Sequence, residues 1–283
     1  RPAVSAARAA VIGGFQGTSD LEAAKRYGIR AIGTAAHAFT LLHDDERAAF
    51  DSQVANLGPG TTLLVDTYDV AQGVANAVEA ARAAGGELGA VRLDSGDLVA
   101  QAFKVRGQLD AMGATSTRIT VTSDLDEYAI AALGAAPVDS YGVGTRLVTG
   151  SGVPTAALVY KVVAREDSGG GMVPVAKKSE SKSTVGGMKA AGRVIGEEGY
   201  AAEELLLVGV PLDEAADALQ ARGARPLQIP LVVDGGIDPR MWGSEALARA
   251  QERHIRSRNE LPYQAWRLSE GETAIPTRYE KAG

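Results

Sequence analysis

Cysteine is absent from the 283 residues, which excludes disulfides and thiolate-bound metals and makes a reducing, cytoplasmic setting the expectation. Histidine is almost as scarce: the three present, His37, His43 and His254, are too scattered for an imidazole metal cluster. Basic residues are in deficit, with a formal net charge of −6 and no long basic stripe, so no nucleic-acid partner is expected. No stretch approaches the roughly 18 apolar residues of a membrane-spanning helix, so no membrane partner is expected either. The start, Arg1-Pro2-Ala3-Val4, lacks the pattern of a signal peptide and lacks an initiator Met, which suggests a chain that begins partway through a longer protein.

What is present is an α/β rhythm. A helical pattern over Ala3 to Phe15 precedes Gly17-Thr18-Ser19-Asp20, which offers an N-cap to a helix over Leu21 to Tyr27 closed by Gly28. Short apolar runs then recur at Ile29 to Ile32, Thr62 to Val65, Gly89 to Val91, Ile119 to Thr122 and Val138 to Tyr141, with amphipathic stretches such as Val70 to Ala84 and Leu98 to Met112 between them. Continuously apolar strands alternating with helices predict a parallel sheet covered on both faces. Beyond Val153 the rhythm changes. Ala156 to Val163 reads as a strand, Ser168 to Gly171 as a turn, and Val173 to Ala176 as the return of a hairpin. Lys177 to Thr184 reads as a flexible polar segment. From Tyr200 an irregular tail follows, with helical patterns at Asp213 to Arg222 and Ser244 to Arg258, and a boundary is placed near 195.

Polar residues fall immediately after the apolar runs. The clusters are Gly33-Thr34-Ala35-Ala36-His37, Asp66-Thr67-Tyr68-Asp69, Arg92-Leu93-Asp94-Ser95-Gly96-Asp97, Ser123-Asp124-Leu125-Asp126 and Gly142-Val143-Gly144-Thr145. Parallel α/β folds place their sites at that end of the strands, so five such clusters predict one active rim on a barrel or barrel-like sheet. Gly142-Val143-Gly144-Thr145 has the composition to wrap backbone N–H groups around a phosphate. A lone histidine is more commonly structural, yet His37 shares its rim with Asp66 and Asp69, and a carboxylate orienting one ring nitrogen frees the other as base or nucleophile. Arg92 suits a planar carboxylate or an aromatic ring. Asp94 and Asp97 suit sugar hydroxyls or developing positive charge. Mg²⁺ fits an acid-rich rim, with Asp69 and Asp97 as its candidate ligands. The set describes a phosphorylated sugar, a divalent cation and a planar anion.

Over residues 1 to about 190 these motifs, together with Gly14-Phe15-Gln16-Gly17-Thr18-Ser19, Tyr160-Lys161-Val162 and Tyr141 to Thr149, closely resemble nicotinate phosphoribosyltransferase. The resemblance implies an irregular TIM-like α/β barrel of the type II phosphoribosyltransferases over 1–195, a C-terminal extension over 196–283, and a homodimer with shared sites. It implies transfer of a phosphoribosyl group from phosphoribosyl pyrophosphate to nicotinate, giving nicotinate mononucleotide and pyrophosphate with ATP hydrolysis coupled and Mg²⁺ present. Carried over by position, His37 takes a phosphoryl group from ATP with Asp66 beside it, Asp94 lies near the ribose, and Arg92 faces the pyridine ring or its carboxylate. Gly142, Gly144 and Thr145 hold the 5-phosphate. Thr34 and Ser95 join the substrate-binding set, and Ser123, Asp124, Lys161 and Lys182 are pyrophosphate or phosphate contacts. The family's N-terminal domain, with an aromatic stacking residue and an arginine-rich motif, has no counterpart before Arg1. Nicotinamide or quinolinate as the base, or a non-catalytic barrel fragment that binds phosphoribosyl ligands, are the competing readings.

Overall fold

Pro2 opens helix α1 (Pro2–Ile12), where a missing N–H leaves nothing unsatisfied, and Val4, Ala7 and Val11 form its buried stripe. In the computed structural model, which describes residues 2–150, 153, 155–179 and 182–281, α2 (Leu21–Tyr27) is bounded as its sequence suggests. Asp20 accepts from the Ala23 N–H, and Gly28 closes the helix at φ 66°. The strand expected at Ile29 to Ile32 is reduced to a single bridge between Thr18 and Ala31.

The chain divides into two compact units, residues 32–156 and residues 1–31 with 157–283. This differs from the division placed near 195, because the strands after 164 pair with one another and α1 and α2 pack with a helix near the C-terminus.

The 32–156 unit follows the α/β rhythm. Helices α3 (His37–Leu41) and α4 (Glu46–Leu57) precede β1 (Thr62–Leu64), and α5 (Val70–Ala83), β2 (Ala90–Leu93), α6 (Leu98–Ala111), β3 (Arg118–Val121), α7 (Glu127–Leu133), β4 (Ser140–Tyr141) and α8 (Thr145–Thr149) follow. The strands form a parallel sheet in the order β1-β2-β3-β4. No closed barrel is found among the described residues. Leu63 and Val65, Val91 and Leu93, and Ile119 and Val121 all point to one face. There they meet Phe50 and Val54 of α4, Val74 and Val78 of α5, and Val105 and Leu109 of α6. These helices therefore lie on one face of the sheet rather than being divided between two. Each fully buried Leu or Ile side chain contributes about 1.5–3 kcal/mol. Gly73 lets α5 approach closely: a Cβ there would lie 2.3 Å from the Val65 carbonyl oxygen.

The other unit departs most from its sequence reading. Residues 156 to 163 form no strand. The described strands begin with the hairpin of β5 (Ala164–Glu166) and β6 (Met172–Pro174), whose turn lies where the glycines predict it. The polar segment is a second small hairpin, β7 (Lys178–Ser179) with β8 (Lys182–Ser183). The expected irregular tail is a four-stranded sheet in the order β11-β9-β10-β14. It is built from β9 (Lys189–Ile195), β10 (Ala201–Val208), β11 (Ala224–Pro226) and β14 (Thr277–Lys281), with α9 (Ala215–Gln220) between β10 and β11. Leu205, Leu207, Leu219 and Ala224 form its core. A small ribbon of β12 (Val232–Val233) and β13 (Gly236–Ile237) leads to α10 (Gly243–Asn259), the helix that meets α1 and α2. No helix of the described residues is long and apolar enough to cross a membrane.

Candidate active site

Strand register builds the site. Leu64 pairs with Arg92, Arg92 with Thr120 and Thr120 with Ser140, so these residues form one row on the face opposite the helices. Two residues further along each chain come Asp66, Asp94, Thr122 and Gly142. The ladder extends to them through Val65 N–H to Arg92 O, Thr122 N–H to Leu93 O and Gly142 N–H to Val121 O. Period-two alternation therefore delivers all four to the same face at the C-terminal edge of the sheet.

Asp66 is the buried centre, its side chain 2% exposed. Its Oδ2 accepts from the Asp94 N–H at 2.8 Å and the Ser95 hydroxyl at 2.9 Å, which ties the β1 end to the β2 end. Its Oδ1 is buried without a hydrogen-bond partner and lies 4.0 Å from His37 Nε2. His37, at the start of α3, shares a hydrogen bond of 3.0 Å between Nδ1 and Thr67 Oγ1, and its Nε2 is 3.9 Å from Asp94 Oδ2. One imidazole edge thus faces two carboxylates while the other is held by a hydroxyl.

Arg92 crosses the row. Its Nε donates to Thr122 Oγ1 at 2.7 Å, its Nη1 to Thr34 Oγ1 at 2.6 Å and its Nη2 to Asp94 Oδ1 at 2.7 Å. Three of the five guanidinium donors are therefore used within the protein. Asp94 Oδ1 also accepts from the Thr122 hydroxyl. Burial pushes the Asp94 carboxyl upward, but the Thr122 and Arg92 hydrogen bonds, with the charges of Arg92 and His37, outweigh it and hold the group below the usual carboxylate range.

The remaining candidates fall into five groups. Thr34 and Ser95 join the cluster as partners of Arg92 and Asp66. Ser123 and Asp124 follow Thr122, with Ser123 at φ 116°, a conformation that favours glycine. Gly142 follows β4 directly, and Gly144 precedes Thr145 at the start of α8, which has no side-chain cap. Lys161 is exposed and Lys182 is in β8, both in the other compact unit, and the Lys182 side chain lies outside the described residues. Asp69 and Asp97 are helix N-caps, accepting from the Gln72 and Ala100 N–H groups at 2.8 and 3.0 Å. Among the described residues no group of three His, Asp or Glu side chains is arranged to hold a metal. The donor set does not fit a resident Mg²⁺. Thr67 and Thr122 were missed by the sequence reading, although both lie in the segments it singled out. Their positions just past the ends of β1 and β3, the two strands that flank β2, were the available signal.

Beside this cluster an acidic hollow of about 510 Å³ is lined by Asp44, Asp45, Glu46, Tyr68, Asp69 and Asn76 among others. Glu46 accepts from Asn76 at 3.2 Å through Oε2, while its Oε1 is buried without a hydrogen-bond partner. Burial raises the Glu46 carboxyl above its ordinary 4.5, the Asn76 bond partly offsets this, and the charges of Asp69 and Asp66 push it further. The fold therefore binds this proton more tightly than the unfolded chain does. The resulting stabilisation is complete below 4.5 and is lost as pH rises through the folded value. Glu46→Gln is expected to raise Tm at neutral pH and to flatten the loss of stability above pH 4.5. Parallel Tm-against-pH curves for both proteins would refute this.

No family model matches the chain. A nicotinate phosphoribosyltransferase of Mycobacterium tuberculosis is 51% identical over 286 residues, covering 98% of this chain and 60% of the relative. By sequence, the chain is similar to nicotinate phosphoribosyltransferases over nearly all of its length. The nicotinate phosphoribosyltransferase of Bacillus subtilis is 41% identical over 204 residues, 70% of this chain and 41% of that relative. The chain thus spans about 60% of the length of the first of these phosphoribosyltransferases. The crystal structure of nicotinate-nucleotide pyrophosphorylase from Pyrococcus furiosus matches it in fold, with a TM-score of 0.64 at 23% identity over 89% of this chain and 61% of that one.

Proposed function

We propose that the strand-end row is the phosphoribosyl-transfer site of a nicotinate phosphoribosyltransferase in pyridine-nucleotide (NAD) biosynthesis, with ATP hydrolysis coupled to turnover. The observation that carries this reading is the convergence of His37, Asp66, Arg92 and Asp94 from three separate segments onto one sheet edge. Helices gathered on one face of the parallel sheet support the reading that it belongs to an irregular barrel, in which the outer face carries helices and the inner face carries chemistry.

In this mechanism the nicotinate nitrogen attacks the anomeric carbon of phosphoribosyl pyrophosphate, the new C–N bond forms, and the C–O bond to pyrophosphate breaks. Positive charge develops on the ribose, and Asp94 Oδ2, the oxygen not engaged by Arg92 and Thr122, is available to face it. Arg92 keeps two donors for the pyridine carboxylate. Gly144 and Thr145 offer backbone and hydroxyl donors to the 5-phosphate, with Gly142 in the same loop, Ser123 and Asp124 are assigned to the pyrophosphate, and His37 is the phosphoryl acceptor from ATP. Mg²⁺ enters as a companion of the substrate phosphates, and no step here runs through it. A homodimer with shared sites and a cytoplasmic location belong to the same proposal.

The test is pyrophosphate release on adding nicotinate and phosphoribosyl pyrophosphate, with nicotinamide and quinolinate as competitors. Turnover with nicotinate alone is expected, and preference for either competitor would reassign the base. Binding of phosphoribosyl pyrophosphate without release would favour the non-catalytic reading. Arg92→Ala is expected to raise KM for nicotinate roughly 10²-fold while changing that for phosphoribosyl pyrophosphate little. Equal losses for both substrates would remove Arg92 from the base pocket.

A further inference from the structure

We propose that Thr122 is a positioning residue of the site, and that glycine is required at position 142 to seat it. This rests on the transferase reading for its catalytic consequence and on geometry alone for the positioning itself.

The Thr122 hydroxyl is the only group that touches both members of the central ion pair: it accepts from Arg92 Nε at 2.7 Å and donates to Asp94 Oδ1 among the described contacts. One hydroxyl thereby fixes the guanidinium plane and the carboxylate rotation together. A threonine does this only in one χ1 rotamer, because its methyl and hydroxyl share a carbon and move as one. The methyl occupies the space in front of Gly142, where a Cβ would lie 2.5 Å from Thr122 Cγ2 and 3.5 Å from its Cβ. Any side chain at 142 therefore forces Thr122 to rotate, and rotation carries the hydroxyl away from Arg92 and Asp94. Backbone adjustment offers little relief. Thr122 is fixed by its N–H to Leu93 O, Gly142 by its N–H to Val121 O, both at 2.9 Å, and Ser123 beyond it is held at φ 116°. Gly142 need not adopt a left-handed conformation for this, so the constraint is one of space.

The experiment is a rescue. Gly142→Ala inserts the obstructing carbon, and adding Thr122→Ser removes the methyl it strikes while keeping the hydroxyl. The Arg92 Nε–H resonance in ¹⁵N-labelled protein, assigned by its loss in Arg92→Lys, reports the hydrogen bond without requiring turnover. Gly142→Ala is expected to abolish the slow hydrogen exchange of that Nε–H and to lower kcat/KM for nicotinate roughly 10²-fold, the scale of a misplacement near 1 Å. Thr122→Ser with Gly142→Ala should restore both. Thr122→Val, which keeps the shape and lacks the hydroxyl, should lose the protection irrespective of position 142. A protected Nε–H in Gly142→Ala, or failure of the double variant to recover it while Tm stays at the wild-type value, overturns the proposal. Resonances that follow the expected pattern in a protein with no transfer activity would uphold the positioning and reject the enzymatic reading instead.

Discussion

Asp94→Asn is expected to lower kcat for nicotinate mononucleotide formation by about 10²–10³-fold, the usual loss when a preorganised group facing developing charge is removed. Asparagine keeps the size of the side chain, and its amide oxygen still accepts from Arg92 and Thr122. The free oxygen is replaced by an NH2 donor, so the negative charge that would face the ribose is lost while the side-chain shape is kept. The substitution therefore separates electrostatics from packing, and KM for phosphoribosyl pyrophosphate should move far less than kcat. Wild-type Asp94 should stay ionised well into the acid range, since the Thr122 and Arg92 hydrogen bonds hold its proton affinity below that of a free carboxylate despite burial. Any acid limb above pH 5 then belongs to another group. A kcat for Asp94→Asn within twofold to threefold of wild type would remove the carboxylate from the transition state, the more so because such a change is worth well under 1 kcal/mol.

His37→Ala should remove stimulation by ATP while leaving a slow basal transfer. The imidazole is 40% exposed, open enough to meet a nucleotide phosphate, yet its Nδ1 is held by Thr67. Its Nε2 looks toward Asp66 and Asp94 at 4.0 and 3.9 Å. A phosphoryl group on this ring would add about −1.5 to −2 charge beside two carboxylates. The phosphorylated state would be strained electrostatically, and its discharge would be favourable once a substrate or product occupies the site. On the proposed reading this would be a physical basis for coupling: energy from ATP would be stored as repulsion against acids that are already fixed in place. The check is a pair of initial-rate series with and without ATP. Full stimulation in His37→Ala would eliminate the residue as the phosphoryl acceptor.

The parallel unit was legible because its strands are short, continuously apolar and separated by stretches with a helical pattern. Asp66, Asp94 and His37 were legible because charged side chains directly after apolar runs have few structural reasons to be there. Thr122 and Thr67 were not, since a hydroxyl carries no pattern of its own and gains meaning only when register sets it opposite Arg92 or His37. The second unit was obscured for a different reason. In β10, burial alternates at Leu205 and Leu207, but the intervening Leu206 and Val208 are apolar as well, so no polar alternation reveals the strand. Its parallel partner β14 lies about 70 residues further along, a pairing that no local window contains. Conversely, the run over 156 to 163 looks like a strand by composition but includes Leu158 and Tyr160, each more than 90% exposed, and is paired in no ladder.

The placement of Asp66, Asp94, Thr122 and Gly142 at one parity has a consequence for how such a protein can change over time. Inserting or deleting a single residue within β2 or β3 would turn Asp94 or Thr122 toward the helices and bring an aliphatic neighbour to the reaction edge, while also inverting the oily side of that strand. Length variation should accordingly be tolerated at the opposite rim, for example around Gly85 and Gly113 where helices hand over to strands, and be nearly forbidden inside the strands themselves.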